Sequence, residues 1–116
     1  MNFPIFIENS KIPVWLSYLS PIDIGAITLG PIVISRGIMS ATTKNHETIH
    51  WHQYAETLIF GFLIMYLVFW LIGIIKHRDG GTAYRQILFE QEAYENQDNL
   101  TYLESRKRYA WLKYSI

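Results

Sequence analysis

Eighteen consecutive residues, Leu58 to Ile75, carry no charge. As one straight helix the run would measure about 27 Å, just under the roughly 30 Å hydrocarbon core of a bilayer. So much apolar surface on a 116-residue chain, which has room for one modest core, must be covered by lipid, by a second copy or by the rest of the fold. The run therefore predicts a membrane-associated protein, in contact with lipid or self-associated as a homo-oligomer. Lys76, His77 and Arg78 follow it at once, against only Lys44 close on the other side. That bias places its C-terminal end towards the cytoplasm. Gly61 and Gly73 are the candidate break points.

Just ahead of this run stands His46-Glu47-Thr48-Ile49-His50. On a helix, positions four apart differ by about 40° in direction and about 6 Å in height, so the two imidazoles can meet at one cation. Glu47 lies about 100° round from His46, beside such an ion rather than on it, where a general base belongs. The polar stretch Ser40 to Asn45 supplies caps in Thr42, Thr43 or Asn45, and the helix is expected to begin almost at the first histidine.

Two histidines leave zinc short of the three protein ligands of a catalytic site. The chain has no cysteine, so thiolates are excluded and the missing donor must be histidine or carboxylate. Of the remaining histidines, His52 points about 200° away from His50 and cannot join the same ion. The source is the acidic cluster Phe89 to Glu95, in which Glu90 and Glu92 face opposite sides of a predicted helix, so at most one of those two can bind. Were His46 to Ile75 a single helix, its far end would lie about 38 Å from His50, and the fifteen residues up to Glu90 would have to return nearly fully extended. A reversal or kink near Gly61 removes the difficulty.

Elsewhere the pattern is mixed. Residues 1 to 24 are apolar but broken by Pro4, Pro13 and Pro21, which does not read as a secretory signal; Val14 to Leu19 has the tryptophan and tyrosine of an interfacial segment. Residues 25 to 39 form two β-prone runs joined by Gly30-Pro31, a short hairpin. Asp79 to Thr82 reads as a turn. Helical patterns run from Ala83 to Asn99 and from Leu100 to Tyr114, the second resembling an interfacial amphipathic helix. Ten basic residues balance ten acidic ones, which points away from a nucleic-acid partner.

His46-Glu47-x-x-His50 followed forty residues later by Glu90-x-x-Ala93-Tyr94 resembles the ligand pattern of gluzincin-type zinc peptidases, especially minimal gluzincins and membrane-embedded CAAX prenyl proteases. The likeness spans about residues 25 to 97 and lies in the motifs. It implies a single domain over 1–116, α+β and mainly α: a short N-terminal hairpin, the active helix, an apolar helix folded back near Gly61, and a helix delivering the glutamate ligand. It implies Zn²⁺ on His46, His50 and Glu90, Glu47 as base, and a peptide or protein substrate paired with the edge of strand Ile32 to Ser35. Tyr94 stands where the family has an aspartate that orients a histidine, and becomes a further catalytic candidate, with Gln53 as a second orienting group. The spacing His46-x3-His50-x-His52 also matches histidine boxes of di-iron desaturases, which need more histidines than the four present. The competing reading is a non-enzymatic membrane or assembly protein with a structural metal or none.

Overall fold

Ile32–Ser35 is the middle strand of a three-stranded sheet, which is why Val33, Ile34 and Ser35 are buried. In the computed structural model, which describes residues 4–13 and 25–116, strand β1 (Ile5–Ile7) pairs with it in parallel and β2 (Ala26–Leu29) antiparallel, so the order is β1-β3-β2 with Ile32–Ser35 as β3. The expected hairpin is therefore present, turning at Gly30 in the left-handed conformation (φ 61°) that glycine adopts freely. The expectation that Ile32–Ser35 offers a pairing edge is wrong, because both its sides are occupied; the edges belong to β1 and β2. The proposed interfacial segment Val14 to Leu19 lies outside the described residues.

Helix α1 (Ala41–Glu56) starts earlier than expected. Ser40 is its cap, accepting from the Thr43 N–H at 3.1 Å, so His46 sits in the second turn and Asn45 is freed to donate to the carbonyls of Asn96, Gln97 and Asn99. The chain then reverses within Thr57 to Ile59. Leu58 and Ile59 both take positive φ angles (59° and 65°), Ile59 at the centre of a γ-turn closed by Phe60 N–H on Leu58 O, and such backbone costs a non-glycine residue about 1–3 kcal/mol. The Thr57 and Ile59 N–H groups tie the turn to the carbonyls at the end of α1.

The reversal stacks Phe62, at the start of helix α2 (Phe60–His77), on Tyr54 with ring centroids 3.8 Å apart. So the predicted break exists, just before Gly61, which itself sits in the first turn of α2. Gly73 is no break. A Cβ there would come within 3.0 Å of Ala83, so this glycine lets α2 lie close against helix α3 (Gly80–Gln86). Asp79 caps α3 through the Thr82 N–H, so most of the expected turn at residues 79–82 is already helix.

The predicted helix from Ala83 to Asn99 is two pieces, because fully buried Ile87 takes an extended conformation (φ −57°, ψ 132°) between α3 and α4 (Leu88–Asn96). The bend turns Phe89 onto Phe62, at 4.5 Å, and onto Trp111, at 4.8 Å. Nor is residue 100 to 114 one amphipathic helix: a single turn, α5 (Tyr102–Ser105), is followed by a 3₁₀ turn at Ala110–Lys113. Tyr54, Phe62, Ile87, Phe89 and Trp111 form the core. The fold is α+β and mainly helical. Among the described residues one helix, α2, is long and apolar enough to cross a membrane, and most of it is exposed.

Candidate metal centre

The inward stripe of α1 holds Asn45, His46, Glu47, Ile49, His50, Gln53 and Tyr54. Buried polar groups are costly unless each finds a partner, and here each of the polar ones does. His46 and His50, one turn apart, aim their Nε2 atoms at the same point, 3.2 Å from each other, and Glu90 Oε1 on α4 lies 3.2 Å from the first and 3.0 Å from the second. For donors about 2.0–2.1 Å from a tetrahedral zinc, the separation would be about 3.3–3.4 Å. The three atoms thus stand within a few tenths of an ångström of the spacing such a cation requires, and the group could hold a metal ion.

Hydrogen bonds behind the histidines fix which nitrogen is free. The Gln53 amide NH₂ donates to Phe89 O at 3.0 Å and to Glu92 Oε1 at 2.9 Å. Its oxygen therefore faces His50 Nδ1, 2.7 Å away, and Nδ1 must carry the proton. In neutral His50 the lone pair is then on Nε2, directed at Glu90. His46 Nδ1 meets Gln97 Oε1 at 2.8 Å, and with that oxygen as acceptor it is His46 Nδ1 that carries the proton. Three acceptors so converge with no donor among them, an arrangement relieved by a cation or by a proton. Burial opposes charge on His50, but the Glu90 carboxylate outweighs it and pushes its pKa up from 6.5 to about 9. Burial likewise opposes charge on Glu90, and the two histidines hold its pKa far below the usual carboxylate range.

Of the two glutamates left open by the sequence, only Glu90 reaches the histidines. Glu92 is fully buried on the other side of α4, where Arg106 donates Nε to Oε2 (2.5 Å) and Nη2 to Oε1 (3.0 Å), and Tyr102 donates its hydroxyl (2.7 Å). His52 faces this second cluster, as its helical angle predicted. Its pKa is lowered by burial and by Arg106. Tyr94 touches His46 through its ring, centroids 4.6 Å apart, but its hydroxyl bonds Tyr84 instead. It does not replace the orienting aspartate. Gln53 holds His50 through its Nδ1, the contact expected of an orienting group, and the Gln97 contact to His46 was missed.

Two further partners were also missed. Tyr66 on α2 donates to the other oxygen of Glu90 at 2.6 Å, holding the carboxylate so that Oε1 faces the histidines. Thr28 on β2 donates its hydroxyl to Glu47 Oε2 at 2.6 Å and accepts from the Tyr54 hydroxyl at its carbonyl, 2.7 Å. Neither belongs to a local motif; a tyrosine within an apolar run was the one available signal for Tyr66.

These groups line a cleft of about 940 Å³ between β2 and α2, with His46, Glu47, His50 and Glu90 at its floor. Comparison of the chain with protein-family models, with curated proteins and with solved structures gives no match.

Proposed function

We propose that the chain is a zinc-dependent metallopeptidase of gluzincin type, carried by one observation: three metal-donor atoms at tetrahedral spacing with a separately held carboxylate next along the helix. His46, His50 and Glu90 would hold Zn²⁺, which would supply Lewis acidity toward a peptide carbonyl and toward water. Glu47 would accept a proton from the attacking water as the water oxygen bonds the carbonyl carbon, and would return it to the amine as the C–N bond breaks. Thr28 holds Glu47 in place for both transfers.

The pairing of β2 supports a peptide substrate. Arg36 N–H donates to Gly25 O, so in the observed register Gly25 and Ile27 form the bonded pairs with β3, while Ala26 and Thr28 turn their backbone groups away from it. Ala26 and Thr28 both line the cleft; the Thr28 carbonyl is taken by Tyr54, so it is at Ala26 that an extended peptide can add as a further strand. The order of strand pair, histidine helix and glutamate helix fits the same reading, and the apolar surface of α2 supports membrane association.

Elemental analysis and peptide hydrolysis test the proposal. Wild type is expected to purify with about one zinc per chain, and His50→Ala with none. Glu47→Gln should keep the metal and lose hydrolysis by about 10²–10⁴-fold. Metal retained without hydrolysis in wild type would make the ion structural and sink the peptidase reading.

A further inference from the structure

Eight residues of α2 lie exposed in one unbroken stripe: Phe60, Leu63, Ile64, Leu67, Val68, Leu71, Ile72 and Ile75. Their alternating spacing of three and one keeps them on a single helical face about 22 Å long. The opposite face, with Phe62, Met65, Tyr66, Phe69 and Trp70, packs on the core, and Gly73 on α3. A helix covered by protein along one side cannot cross a bilayer alone, but it can lie in the surface of one with its free side in the acyl region. Arg78 is exposed at its end, placed to meet anionic headgroups, while the Lys76 ammonium is held by the Ile116 oxygen.

The stripe is continuous with the mouth of the cleft. Leu63 and Leu67 belong to both, and on the facing wall Leu29 and Ile38 line the cleft while 44% and 84% exposed. A mouth rimmed by apolar side chains on both walls would be a liability against water.

Resting on the peptidase reading above, we infer that α2 docks one-sided on the bilayer with the cleft mouth facing lipid, so that the substrate is an apolar peptide segment drawn from the membrane interface. Charge complementarity at Arg78 and the shared rim favour lipid over a second copy as the occupant.

The test uses Ile64→Glu/Leu71→Glu, two stripe positions outside the cleft, and vesicles of phosphatidylcholine with or without phosphatidylglycerol. Wild type should sediment with vesicles, more strongly when phosphatidylglycerol is present. The variant should keep its zinc and its kcat/KM on a short soluble peptide, and lose at least about tenfold in vesicle binding and in cleavage of an apolar peptide held in the vesicles. Sedimentation of the variant like wild type overturns the inference, as does a wild type that ignores vesicles and forms a dimer that the variant splits. If wild type binds vesicles and the variant does not, yet neither peptide is cut, the peptidase reading fails and the substrate class falls with it, while the lipid-facing surface stands.

Discussion

Helices α1 and α2 are consecutive, separated by three residues, and they break the ordinary rule of burial in opposite senses. The first turns histidines, glutamate and glutamine inward; the second turns leucine, isoleucine and phenylalanine outward. Neither inversion is free. Buried polar groups lose water and must recover it as hydrogen bonds, whereas an exposed apolar stripe loses nothing within the chain and leaves its gain for a partner. The polar interior is therefore a closed account within the fold, and the apolar exterior an open one. The difference separates a site from a docking surface using only burial and partners.

The largest test of the closed side is Arg106→Ala. Arg106 is bonded to both Glu92 and Glu56, with side chains nearly excluded from solvent, and Glu92 passes its contact through Gln53 to His50. Burial opposes charge on Glu56, and Arg106 more than compensates, keeping its pKa below the ordinary value. Removing the guanidinium strands a fully buried carboxylate, with an expected loss of about 3–5 kcal/mol in urea unfolding. A loss below about 1 kcal/mol would mean that the polar interior is hydrated and no rigid frame for the histidines.

A smaller effect is expected from pH. Because the His50 pKa stands at about 9 without metal, a cation must displace a proton at neutral pH, and apparent zinc affinity should fall about tenfold for each unit below that value. Stability of the metal-free protein should run the other way. A pKa raised in the folded state means that the His50–Glu90 pair contributes fully below about 6.5 and that its contribution disappears as pH rises through about 9. Zinc titration and urea midpoints between pH 6 and 9 would read both slopes, and a flat affinity would break the picture of three converging acceptors.

What could be read beforehand follows the same division. The turn spacing of His46 and His50 is local, and the reversal before Gly61 followed from the length of a helix against the reach of fifteen residues, so both were accessible from the sequence. Gln97 and Tyr66 reach the site only after the chain has folded back, and no local pattern marks them. The edge strand was misassigned because the three-residue β1, next to Pro4, gives little sign that it pairs with β3. The breakup of residues 100–114 depends on Glu56, which accepts from the Tyr109 N–H and the Trp111 indole, a contact between segments some fifty residues apart in the chain.

Gly73→Ala probes the packed side of α2 against its bare side. An added methyl would lie 3.0 Å from backbone and Cβ atoms of Ala83, which cannot give way as a flexible side chain would. Overpacking of this kind costs about 1–3 kcal/mol, while Val68→Ala on the open stripe should change the stability of the protein in solution by less than about 0.5 kcal/mol. Equal effects at both positions would show that the stripe is covered within the fold and is no docking surface.

The smallest expected change lies in the turn that joins the two helices. Leu58 is 84% exposed and holds φ at 59°, so its side chain packs little and its Cβ crowds the backbone. Leu58→Gly removes that crowding, worth about 1–2 kcal/mol, against roughly 0.5–1 kcal/mol for the added freedom of the unfolded chain. The net should be a gain of up to about 1 kcal/mol in urea unfolding in the absence of lipid. Ile59, with φ 65°, differs in placing its side chain near Gly30 of the hairpin, so Ile59→Gly should gain less or lose. If instead Leu58→Gly stabilises the protein in water and weakens vesicle binding, the exposed leucine belongs to the open account: strain kept in the turn serves to hold an apolar side chain at the bilayer.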